Sequence, residues 1–193
     1  MTGLLKRFNC LTSKLTESVV PPTSVLQGKR GYLSGPIEND ATNFNWRVEP
    51  LRVLRDEFKI NMFDPHADPK QQWVPILREA RDKRDYGKIA HIARDFVRKD
   101  LAMVDRSDLL IAYLPRNVYT TGTHHEVINS DSAKKPTLLI CPEGKEHIPI
   151  WYHGFIPHEF MFGSWESLYE YLREVNECKH TENRRWHFVY GLI

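Results

Sequence analysis

Two stretches constrain this chain more than any other feature: "DLLIAYLP" at 108–115 and "PTLLICP" at 136–142, both apolar almost without interruption. Successive side chains of a strand point to opposite sides of a sheet, so a strand with one wet face alternates apolar and polar residues. A strand that is apolar at nearly every position is covered on both faces. Helices provide that cover in sheets whose strands run parallel. The segments around these strands read accordingly. Gly31, Tyr32 and Leu33 form a strand stopped by Gly35 and Pro36. A helix follows over 43–58, with Trp46, Leu51, Leu54 and Phe58 at helical spacing. Pro50 removes a hydrogen bond from it and moves its expected start toward Glu49.

"INMFDP" is the second strand, ended by Asp64 and Pro65, and a polar loop "HADPKQQWVP" leads into a helical region reaching about Met103. The second half of that region puts Ile89, Ile92, Ala93, Phe96, Leu101 and Val104 on one face. "THHEVINSDSA" reads as a helix, as does "SWESLYEYLREVNE", which Ser164 caps. The tail "RRWHFVYGLI" is expected to be extended. With 193 residues there is room for one domain with a substantial core. That domain is expected over 29–178, after an N-terminal extension (1–28) that is partly extended or flexible and before a tail (179–193).

Composition removes several classes of function. A net charge of +2, with acids and bases interspersed, argues against binding a nucleic-acid polymer. No apolar run approaches the length needed to span a bilayer. The N-terminal "MTGLLKRFNCLTSKL" lacks the apolar core and cleavage site of a secretory signal, so the expectation is cytoplasmic. Cys10, Cys141 and Cys178 are odd in number and show no CxxC spacing, which disfavours a disulfide framework and structural zinc.

In open parallel sheets ligands bind beyond the C-terminal strand ends, where the strand order reverses. Three segments qualify: Ser34-Gly35-Pro36, Asp64-Pro65, and 115–126 with its "YTTGTHHE". Two readings of Glu126 stay open. Thr123-His124-His125-Glu126 fits a T-x-x-E capping box, in which the glutamate reaches back to the helix start. Otherwise Glu126 faces a pocket as acid, base or nucleophile. His124 and His125 are adjacent and point about 100° apart on a helix, so no metal is expected. No G-x-G-x-x-G, Walker A loop or G-x-S-x-G occurs. The carboxylates Asp64, Asp100, Asp108 and Glu126 remain, with Asp108 structural because it precedes its strand.

"YLSGPIEND…W", "FDP", "DLAMVDRSDLLIAYL", "TGTHHEV" and "KKPTLLI", in that order over about 30–175, resemble the nucleoside 2-deoxyribosyltransferase family, which includes related nucleotide N-glycosidases. The resemblance implies a flavodoxin-like doubly wound sheet of order 2-1-3-4-5 with helices on both faces. It also implies metal-free, cofactor-free cleavage of an N-glycosidic bond, with a nucleoside or nucleotide and a free nucleobase as partners. By motif, Glu126 is the nucleophile that forms a glycosyl-enzyme, and Asp100 orients the base or its proton. Tyr32 joins them in the catalytic set. Ser34, Gly35, Pro36 and Ile37 line the sugar and base site, with Asp64, Tyr119, Gly122 and Thr123 as further binding residues. C-terminal segments in the family often complete a neighbour's site, which implies a homo-oligomer.

The chemistry agrees with that set. Breaking a C1′–N bond passes through an oxocarbenium-like sugar, which a carboxylate beneath C1′ stabilises and then captures. The departing base needs a proton, hence a second acid. Departures from the family pattern bear on the substrate. Tyr119 and Thr120 stand where well-known transferases carry a base-reading acid. Glu38 and Asp40 follow strand one, where the nucleotide hydrolases have a phosphate-binding arginine, so a nucleoside is favoured over a 5′-monophosphate. A non-catalytic nucleotide sensor on the same fold is the rival from another class.

Overall fold

The computed structural model describes residues 24–37 and 44–190. Its centre is one five-stranded sheet: β1 (Arg30–Ser34), β2 (Asn61–Phe63), β3 (Leu109–Tyr113), β4 (Thr137–Ile140) and β5 (Met161–Phe162). The strand order is β2-β1-β3-β4-β5 and every pairing is parallel, a flavodoxin-like α/β arrangement. All of Leu109 to Ala112 and Leu138 to Ile140 are fully buried, as their unbroken apolarity requires. The chain turns from β1 outward to β2 and returns past it to β3. The C-terminal ends of β1 and β3 therefore form the switch point.

Among the described residues, five α-helices surround the sheet: α1 (Val48–Asp56), α2 (Val74–Asp82), α3 (Tyr86–Arg106), α4 (Thr121–Ser132) and α5 (Trp165–Asn176). The α1 and α5 segments meet through the Arg173–Glu57 ion pair at 2.7 Å and the Phe58–Tyr169 ring contact. On α3 and α4, Asn129 donates to Asp105 at 3.0 Å, and Lys135, just past α4, donates to the Val104 carbonyl at 2.6 Å. Pro50 lies in the first turn of α1, where its missing N–H costs little. Ser164 caps α5 by accepting from the Ser167 N–H at 3.1 Å.

Several details differ from the sequence expectation. The polar loop after β2 contains two 3-10 turns, Pro65–Ala67 and Pro69–Trp73. The helical region beyond it is two helices broken at Arg84, whose φ is 57°. The fifth strand is only Met161–Phe162, too short to leave a period in the sequence. The tail is a succession of turns rather than an extended run, because its aromatic residues fold inward. Trp186 is fully buried and donates its indole N–H to the Tyr171 hydroxyl at 2.8 Å. Through Tyr190 the tail thus packs on its own domain. At the other end, Val25 and Leu26 also join the core.

Candidate active site

The site grows from the alternation of β1. Tyr32 and Ser34 share one face of the strand, and both reach Glu126 on α4. The Tyr32 hydroxyl donates to Glu126 Oε1 at 2.7 Å, and the Ser34 hydroxyl donates to Oε2. The sheet-facing stripe of α4 is Thr123, Glu126, Val127 and Ser130, at helical spacing but mostly polar. The capping-box reading is corrected here. α4 begins at Thr121, its N-cap Thr120 makes no side-chain capping bond, and Glu126 lies in the second turn. Both carboxylate oxygens are engaged across the interior, so none reaches back to the helix start.

Glu126 is only 7% exposed, and the first consequence of burial is a carboxyl pKa pushed above its ordinary value. The Ser34 and Tyr32 hydrogen bonds oppose that shift, followed by the charges of Arg47 and Lys70. The Tyr32 phenol is pushed well up, first by burial and then by the Glu126 charge, so it stays a donor. No cation is hydrogen-bonded to Glu126 among the described residues.

Arg47 and Lys70, both 2% exposed, are the residues the sequence did not reveal. Arg47 donates to the Leu33 carbonyl at 2.9 Å, the Gly35 carbonyl at 3.0 Å and Asp64 at 3.1 Å. One guanidinium thereby ties the end of β1 to the end of β2. Asp64 also accepts from the His66 N–H at 3.0 Å. Gly35 is needed by close approach: a Cβ there would come within 2.5 Å of the Trp46 ring. Trp46 in turn stacks on Tyr113, the last residue of β3, at 4.3 Å between centroids. An aromatic stack thus stands at the C-terminal end of β3, on the face of the sheet opposite to Tyr32 and Ser34. Lys70, in the turn after β2, donates to Asp100 on α3.

The remaining expected positions divide. Pro36 is buried and Ile37 half-buried directly after β1; Thr123 is buried on the sheet-facing side of α4. Gly122 is exposed in the first turn of α4, and Tyr119 is 74% exposed. Glu38 and Asp40 lie outside the described residues. Asp108 has the structural role expected, accepting from the Arg30 N–H at 2.8 Å. His124 pairs with the Tyr152 hydroxyl while His125 is exposed. No group of three metal-ligating side chains occurs among the described residues. A concavity of about 580 Å³ runs along the β2 edge past Gly28, Arg55, Lys59 and Phe63, and none of the site residues lines it.

Comparison with protein-family models and with curated proteins returns no match for this chain. The geometry therefore speaks for itself. A buried carboxylate held by two hydroxyl donors keeps a fixed orientation and resists solvation. Such a group can act as a nucleophile toward an electron-poor carbon or as a stabiliser of a cation.

Proposed function

We propose that this chain is an enzyme of the nucleoside 2-deoxyribosyltransferase type, cleaving the N-glycosidic bond of (deoxy)nucleosides with Glu126 as nucleophile. The observation that carries the reading is the buried Glu126 carboxylate at the switch point, with both oxygens fixed by Tyr32 and Ser34. A carboxylate in that setting attacks C1′ as the base departs and forms a glycosyl ester. A second nucleobase or water then takes the sugar. Asp100, tied to Lys70, is the second carboxyl group and handles the proton of the base.

The reading extends to the setting: a cytoplasmic homo-oligomer acting on small nucleosides and free bases, without cofactor or metal. No helix among the described residues is long and apolar enough to cross a membrane. The test is incubation with a panel of deoxynucleosides, ribonucleosides and 5′-monophosphates, with and without a second free base, followed by chromatography. Base exchange is the expected result. Base release alone makes the protein a hydrolase, and turnover confined to monophosphates makes it a nucleotide N-glycosidase. Binding without turnover of any of them contradicts an enzyme and favours a sensor.

A further inference from the structure

Lys70 is a buried ammonium in contact with the Asp100 carboxylate. It sits in the 3-10 turn Pro69–Trp73, pinned where Lys70 N–H donates to Asp68 at 2.8 Å and Gln71 donates to the Pro65 carbonyl at 2.9 Å. That turn follows β2, whose last residue Phe63 lies in register with Tyr32, the donor to Glu126. The ammonium faces Asp100 and the Phe96 ring from α3, at 5.5 Å in the case of Phe96. Asp68 and Asp64 in the loop, Lys99 on α3 and Glu126 on α4 also act on its charge.

Resting on the nucleoside-cleavage reading, we propose that Lys70 is the proton source of the site, delivering through Asp100 the proton that the departing base takes up. Asp100, bonded to an ammonium, is held as a carboxylate and has no proton of its own to give. In the step, a Glu126 oxygen bonds to C1′ while the C1′–N bond breaks and its electron pair stays on the base nitrogen. That nitrogen takes a proton from Asp100, and Asp100 takes one from Lys70. Glu126 loses its negative charge as an ester, and Lys70 loses its positive charge as an amine. The net charge of the buried site is unchanged, which suits a place where uncompensated charge is costly.

The two events are also coupled. Burial lowers the Lys70 ammonium to about 8, while the charges of Asp68 and then Glu126 hold it up. Esterification removes the Glu126 contribution, so Lys70 becomes a stronger acid as the base needs its proton. In the return half, the incoming base or water hands its proton back along the same pair. Lys70 acts through Asp100 and does not contact the base.

Two substrates separate this role from a structural one: 2′-deoxyadenosine, whose base leaves with a proton, and 4-nitrophenyl 2-deoxyribofuranoside, whose phenolate leaves without one. For the unmodified protein, kcat/KM on deoxyadenosine should fall as alkaline pH removes the Lys70 proton, and kcat/KM on the aryl glycoside should not. Lys70→Arg keeps the charge and the Asp100 partner but releases no proton. It should slow deoxyadenosine cleavage by about 10²–10⁴-fold and leave nitrophenol release within a few-fold. Glu126→Gln should lose both. Equal pH profiles for the two substrates, or a Lys70→Arg variant that cleaves deoxyadenosine normally, overturn the role of Lys70 and leave the Glu126 reading intact. Release of neither base nor nitrophenol by the unmodified protein overturns both.

Discussion

Asp108 and Glu126 are carboxylates held against the same sheet, one at the lower end of β3 and one above β1, and their surroundings are opposite. Asp108 is part-exposed and bound directly by Arg30, through the backbone N–H at 2.8 Å and the guanidinium at 3.1 Å. Burial pushes its pKa up, but the Arg30 bonds and charge outweigh that and bring it below the ordinary value. Glu126 is buried and receives only hydroxyl donors; Arg47 and Lys70 act on it by charge alone, and its pKa ends above the ordinary value. Asp108, neutralised by Arg30 at the end of the sheet away from the switch point, is scaffolding. A carboxylate that is fixed, desolvated and uncompensated at contact distance keeps its electron pairs available for reaction.

The sharpest way to break this contrast is Glu126→Gln. Base release should drop by at least about 10³-fold, the scale seen when a nucleophile is removed, with circular dichroism unchanged. Retained turnover there ends the distinction between the two carboxylates. Next in size is Arg47→Met. It removes the ion-pair partner of Asp64 and a donor from each of two carbonyls at the end of β1, and the urea midpoint should report a loss of about 3–5 kcal/mol. A near-neutral result means that Arg47 does not tie β1 to β2.

A smaller effect concerns pH. The raised Glu126 pKa means that the folded state binds more protons than the unfolded one between the ordinary value of 4.5 and its own higher value. The stability it contributes is full below the ordinary value and is lost as pH rises through the folded one. Urea midpoints at pH 4 and pH 7.5 should therefore show the unmodified protein losing ground to Glu126→Gln at the higher pH. A constant difference contradicts the desolvation of Glu126. The smallest effect belongs to Arg30→Ala: its guanidinium is in water, so the midpoint should barely move, and less still in high salt.

How much was legible follows from the same physics. β3 and β4 announce themselves because covering both faces demands an unbroken apolar run, and with them comes the parallel sheet. β5 has two residues and leaves no period. Glu126, Tyr32 and Ser34 were reachable through motif order, yet hydropathy misreads α4, since its buried stripe carries Thr123, Glu126 and Ser130 instead of aliphatic residues. Arg47 and Lys70 were hidden altogether. A buried cation looks like a surface one in sequence, and only partners distant along the chain, such as Asp64 and Asp100, reveal the difference. Trp186 was visible as an aromatic tail but not as a core residue, because turn-rich segments carry no face.

The central claim, covalent attack by Glu126 on the anomeric carbon, is tested most directly by trapping. A 2-fluoro-substituted deoxynucleoside slows both halves of the reaction, and peptide mass spectrometry then locates any sugar adduct. The fluorosugar should be found as an ester on Glu126, removable by adding a free nucleobase. Release of base with no adduct, or an adduct on a different side chain, contradicts the account.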